Sequence, residues 1–167
     1  MPRLDSSFGS SGFVAQPFSS VGHNFNVGTG VALQTDGKIV VGGYSGGLLT
    51  PGDFVVARFD IHGHLDPTFG SGGFVVTDFG GNEQATGLAI QRDGKIVLVG
   101  WTDAHGGSEF ALARYNLDGS PDISFGSNGQ VTTHFGPPLA IAGANAVALD
   151  AHGNIITGKD TIAPPAV

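Results

Sequence analysis

Three copies of one short string set a carboxylate and a hydroxyl close together ahead of a glycine-rich turn, a pairing that could orient a polar ligand or coordinate a cation. They read Leu4-Asp5-Ser6-Ser7-Phe8-Gly9, Leu65-Asp66-Pro67-Thr68-Phe69-Gly70 and Pro121-Asp122-Ile123-Ser124-Phe125-Gly126, continuing to Gly12, Gly73 and Gly129. The same residues can instead build a joint: the aspartate caps the N–H groups of the turn, the phenylalanine plugs the space between strands, and the glycines accept positive φ. The aspartates are 61 and 56 residues apart. A group present in every repeat serves what every repeat shares, so a structural role is expected for Asp5, Phe8, Gly9, Asp66, Phe69, Gly70, Asp122, Phe125 and Gly126.

Other candidates meet the same test. His62-Gly63-His64 lies between Asp60 and Asp66, and histidines on alternate strand residues share a face and can bind zinc. Gly63 marks a turn, however, and the second repeat has Asp118 and Ser120 there, so a solvated loop is expected and no metal is assigned. His23, His105, His134 and His152 show no ligand spacing. Arg58 and Arg114 occupy equivalent places near Asp53 and Glu109; they could face a ligand as a ring of cations, or pair with Asp60, Asp66 or the capping aspartates, and pairing is the expected role. There is no phosphate-binding Gly-Lys-Ser/Thr loop. No catalytic residue and no cofactor is therefore assigned, and the chain is expected not to be an enzyme. Tyr44 and Trp101, at equivalent positions beside the non-repeated loops 45–52 and 102–108, are the candidates for a ligand-contact surface, against the alternative of aromatic packing at a strand end.

The elements that carry these residues repeat as well. Gly30-Val31-Ala32-Leu33-Gln34, Gly87-Leu88-Ala89-Ile90-Gln91 and Ala146-Val147-Ala148-Leu149-Asp150 are small and branched apolar runs, as in a strand packed on both faces. Each meets a turn, Asp36-Gly37-Lys38, Asp93-Gly94-Lys95 or His152-Gly153-Asn154, followed by Ile39-Val40, Ile96-Val97 or Ile155-Ile156. Asp-Gly between apolar β-prone runs predicts a hairpin with a primed turn. A third strand follows at 53–59 and at 109–115, and a fourth at 73–79 and at 129–135. No segment has the helical period of a crossover helix. The pattern predicts an all-β fold of β-propeller blades, each of four antiparallel strands, with about two full blades plus partial ones. In a single domain of residues 1–167, blade one falls at about 27–79, blade two at about 85–135 and a truncated blade at about 143–160. A surplus outer strand is expected at 12–18.

With 167 residues the chain can bury a core without staples, and it has no cysteine to supply a disulfide, a thiol nucleophile or a zinc ligand. Its 29 glycines and nine prolines recur at fixed places, as turns do. A net charge of −7, with seven scattered Lys and Arg, disfavours nucleic acid. No apolar run is long enough to span a bilayer, and Met1-Pro2-Arg3 leads into the first motif without an apolar signal segment.

The combined motifs, Leu-Asp-x-Ser/Thr-Phe-Gly, then Asp-Gly-Lys-Ile-Val, then Phe-x-x-Ala-Arg-Phe/Tyr, resemble those of the delta-60 repeat family of bacterial tandem-repeat proteins, and do so over residues 4–158. Asp5, Phe8, Gly9, Asp36, Gly37 and Lys38 carry the likeness in the first repeat, and Asp66, Phe69, Gly70, Asp93, Gly94 and Lys95 in the second. The third keeps Asp122, Phe125 and Gly126 but has His152-Gly153-Asn154 and lacks the last strand. The resemblance implies a propeller and a secreted or cell-surface location in a bacterium; it implies no catalytic residues.

An arc of fewer than three blades exposes strand edges and apolar faces. The expected function is a non-catalytic scaffold for binding a protein, glycan or small ligand, with its ring completed by self-association, a dimer being favoured. The alternatives are a structural building block or piece of a larger propeller, and a propeller hydrolase or lyase. Against the last, the inner strand ends offer only Gln34, Gln91 and Asp150.

Overall fold

The structure is a computed structural model that describes residues 4–15, 25–47, 50–135 and 141–162. Strands β1 (Phe25–Leu33), β2 (Ile39–Gly46), β3 (Asp53–Phe59) and β4 (Phe74–Thr77) form one antiparallel meander in sequence order. Strands β5 (Glu83–Ile90), β6 (Ile96–Thr102), β7 (Glu109–Tyr115) and β8 (Gln130–Thr133) form a second, and β9 (Ile141–Leu149) pairs with β10 (Ile155–Ile162) in a third sheet. The described residues contain no helix. The chain is all-β, built of antiparallel four-stranded β-propeller blades as the motif order predicts.

Each first strand carries a β-bulge at the same place, at Thr29, Thr86 and Asn145, where the register with its partner shifts by one. The bulge breaks the hydrophobic alternation, and the strands begin at residues 25, 83 and 141, two residues before the expected blade starts at about 27, 85 and 143. The hairpins also differ from expectation. Gly37 N–H donates to Gln34 O at 3.0 Å and Gln34 N–H to Lys38 O at 2.8 Å, while Gly37 alone takes a positive φ, of 84°. A primed two-residue turn needs positive φ at both central residues or at the first; here Asp36 keeps negative φ and spends its Oδ1 on the Lys38 N–H at 3.1 Å. The result is a longer loop closed by a left-handed glycine, repeated at Gly94 and Gly153.

The core lies between blades. Val40, Phe54, Val56 and Phe69 on the trailing face of blade one pack on Ile96, Leu98, Ala111, Ala113 and Tyr115 of blade two, with Leu88 and Ile90 at the margin. Val97, Val99 and Phe110 on the trailing face of blade two then meet Ala142, Ala144 and Val147 of the third sheet. Packing is close enough that a side chain at Gly30 would meet the Leu88 Cβ at 2.9 Å.

The first strands are not all packed on both faces, as their composition suggests. Val31 and Leu33, at the positions of Leu88 and Ile90, are 70% and 72% exposed, because no described element covers the leading face of β1. At the other end Ile156 is 55% exposed, whereas Val40 and Val97 at its position are 0% exposed. Of the outer strand expected at 12–18, residues 16–18 lie outside the described residues, and Phe13 makes only isolated bridges to Gly9 and Ser10.

Candidate functional site

Within each complete blade the repeated motifs meet at one aspartate. Asp66 follows a bridge between Leu65 and Phe59, and its N–H donates to Arg58 O at 2.9 Å, which turns the chain back beside the end of β3. Its Oδ1 accepts the Thr68 N–H at 3.0 Å and the Thr68 hydroxyl at 2.6 Å. Its Oδ2 accepts Arg58 Nε at 2.9 Å and lies 3.0 Å from Lys38 Nζ. Blade two repeats the cluster: Asp122 takes the Ser124 amide and hydroxyl, Arg114 Nε at 2.7 Å and Lys95 Nζ at 2.8 Å. The guanidinium groups cover the phenylalanine rings, Arg58 over Phe69 at 4.6 Å and Arg114 over Phe125 at 4.3 Å.

Burial would push the Asp66 carboxyl up, yet the Thr68 hydroxyl and amide, Lys38 and Arg58 hold it well below the usual carboxylate range. Lys95, with Ser124 and Arg114, does the same for Asp122. Each arginine pairs with an aspartate of its own blade, and Arg58 also reaches across to the Leu117 carbonyl of blade two. An ion-paired, inward-turned guanidinium is a strut, and the lysine of Asp-Gly-Lys proves to be its second partner, a contact that sequence spacing alone did not reveal.

The motif that ends one blade rests on the next. Gly70 N–H donates to Asp118 O at 2.7 Å, and Gly9 N–H makes the same bond to His62 O at 2.7 Å. Phe8 lies over Gly63 as Phe69 lies over Gly119; a Cβ on either glycine would come within 3.1 Å of the ring. The N-terminal motif thus docks on blade one as the second motif docks on blade two. Asp5 keeps its Ser7 cap, at 2.9 Å from the amide and 2.6 Å from the hydroxyl, but no lysine or arginine among the described residues joins it. Nearer the inner strands, the bulge residues stitch blade to blade: Thr29 Oγ1 donates to Ala85 O at 2.9 Å, and Thr86 Oγ1 to Ala144 O.

The remaining sequence candidates are dispersed. Trp101 is half-buried, and Gly143 of β9 lies close under it, where a Cβ would sit 3.2 Å from the Trp101 Cβ. Tyr44 is half-buried, pairs with Phe54 in the β2–β3 register, and borders a shallow apolar groove lined also by Val27, Val41, Val55 and Ala57. Asp60 accepts the His62 and His64 amides at 2.8 and 2.9 Å, and the two imidazole centroids stand 6.4 Å apart. Gln91 gives its amide to Gly153 O at 2.9 Å.

A group that local spacing did not reveal lies where blade one passes to blade two. One carboxylate oxygen each from Asp53 at the start of β3, Asp78 after β4 and Glu83 at the start of β5 lie within 4.8 Å of one another. Glu83 is fully buried; its Oε1 accepts the Thr102 hydroxyl at 2.9 Å and the Gly81 N–H at 2.8 Å. Burial pushes the Glu83 carboxyl up, against these two donors. Asp78 and Glu83 are five residues apart, but Asp53 precedes Asp78 by 25, and the β3–β4 register brings it to them.

Two stretches of the chain, residues 34–69 and 91–125, match the model of a family described as a domain of unknown function (DUF5122) beta-propeller. Each stretch runs from a hairpin through the Asp-x-Ser/Thr-Phe motif, the same span that the Lys–Asp–Arg cluster ties together. No curated protein matches the chain.

Proposed function

We propose that the chain is a non-catalytic β-propeller scaffold that completes its ring by self-association, two copies head to tail, and presents its non-repeated loops to a protein, glycan or small ligand. The observation that carries this is the inequality along the arc: Val40 and Val97 are 0% exposed and Ile156 is 55% exposed at the same position, while Val31 and Leu33 lie open at the opposite end. A trailing face at one end and a leading face at the other are complementary halves of the interface already formed twice within the chain. The lysine, arginine and aspartate of each repeated cluster are spent on one another, which supports a scaffold over an enzyme. The repeated motifs resemble those of the delta-60 repeat proteins, which supports a repeat scaffold.

Light scattering of the purified chain tests it. A mass of twice 16.9 kDa, reduced to 16.9 kDa by Leu33→Glu, is expected. A monomer in dilute solution sinks the proposal. Asp5 favours a second reading, a building block of a larger propeller, because Asp66 and Asp122 each hold two cations whereas the third sheet has Asn154 in place of the lysine. In that case Asp5 takes its cations from another complete repeat.

A further inference from the structure

The blades share their hairpins, bulges and Lys–Asp–Arg clusters, so the fully buried Glu83, which only one junction carries, is not explained by the repeat. At the second junction the positions of Asp53, Asp78 and Glu83 hold Glu109, His134 and Ala142. There Glu109 faces two imidazoles, His105 at 3.0 Å and His134 at 3.7 Å, and the third position carries no charge. At the first junction three carboxylates converge instead.

We propose that Asp53, Asp78 and Glu83 form a divalent-cation site, with calcium preferred, that clamps blade one to blade two. Glu83 is fully buried, and its Oε2 has no hydrogen-bond partner among the described residues, although Oε1 has two. A buried carboxylate oxygen without a partner is costly to keep and is normally satisfied by a donor or a metal. Among the described residues no lysine or arginine pairs with Asp78 or Glu83.

The donor set fixes the class of ion. Three carboxylates with no imidazole or thiolate suit a hard cation. Oxygens that all lie within 4.8 Å of one another can be bridged by one ion at the calcium–oxygen distance of about 2.4 Å. Magnesium, with shorter bonds and a strict octahedron, fits a site of mixed burial less well. Asp78 is exposed and gives the ion a way in, while Glu83 anchors it from within. The surrounding backbone is already tied to both blades: Glu83 N–H donates to Gly52 O at 2.7 Å, and Asn82 N–H to the Asp103 carboxylate at 2.7 Å.

The site lies inside one chain and does not depend on self-association. Calorimetric titration of the chelator-treated full chain with calcium chloride is expected to give one ion per chain, with magnesium binding more weakly. At a hundredfold excess over Kd, calcium should raise Tm by about 5 °C or more. Asp78→Asn, at an exposed position that leaves the core intact, and Glu83→Gln should each weaken calcium binding by about tenfold or more. The proposal is overturned by absence of heat and of any Tm shift at millimolar calcium. It is equally overturned if both variants respond as the parent does, which would place the ion elsewhere. A chain that ignores calcium and gains stability from Glu83→Gln would show that a shared proton, not a metal, satisfies the cluster.

Discussion

Arg58 Nε lies 2.9 Å from Asp66 Oδ2, with both side chains buried, in a contact that joins the end of β3 to the turn leading into β4. Removing one partner leaves the other charged and buried. Asp66→Ala is expected to cost about 3 kcal/mol. Asp5→Ala, at the equivalent but exposed position, removes only the Ser7 cap and should cost about 1 kcal/mol or less. Urea denaturation of the two variants checks the ordering, and equal costs would deny Asp66 its role as a strut.

Acid should act through the same two aspartates. The folded carboxyls of Asp66 and Asp122 lie well below their unfolded value of 3.8, so the unfolded chain takes up protons first as pH falls. Their contribution to stability is complete above the unfolded value and is lost progressively as pH drops through it toward the folded value. The urea midpoint should fall steadily below about pH 5, with a shallower slope in the double variant Asp66→Asn, Asp122→Asn. An unchanged slope would mean that other carboxylates govern the acid limb.

Thr86 holds the third sheet from its bulge, through the carbonyl of Ala144. Thr86→Val keeps the shape and orphans that carbonyl, at a cost of about 1–2 kcal/mol. The loss should be local: a two-stranded sheet has little stability of its own, so amide exchange in β9 and β10 should accelerate before that of β6 and β7. Uniform acceleration across both blades would overturn this.

Trp101 packs over Gly143, which gives its aromatic ring a structural task. Trp101→Ala should cost about 2 kcal/mol, below the range for a fully buried aromatic, with Trp101→Phe recovering most of it. Thermal melting of both decides. A Trp101→Ala chain as stable as the parent would deny the ring that structural task.

The blade was legible because its signals are local. Apolar runs, Asp-Gly turns and the Asp-x-Ser/Thr-Phe-Gly string each act within a few residues, and their order alone determines a four-stranded meander. What lay across the register was not legible. Asp53, Asp78 and Glu83 are separated by strand and loop, and only the pairing of Phe54 with Thr77, together with the crossover into β5, brings them to one point. Lys38 was visible as part of a turn, but its reach to Asp66 depends on how far the hairpin leans over the end of β3. The exposure of Val31 and Leu33 was hidden for a different reason, since a strand's composition records the face it is built to cover whether or not a neighbour is there.

The docking of Gly9 on His62 and of Gly70 on Asp118 means that the unit written in the sequence and the unit seen in space are out of phase. A repeat counted from one Asp-x-Ser/Thr-Phe-Gly motif to the next begins on one blade and ends on its neighbour. Whole repeats could therefore be duplicated or lost while every junction that results is one the fold already makes. Copy number in such an array can drift without a new interface having to be invented.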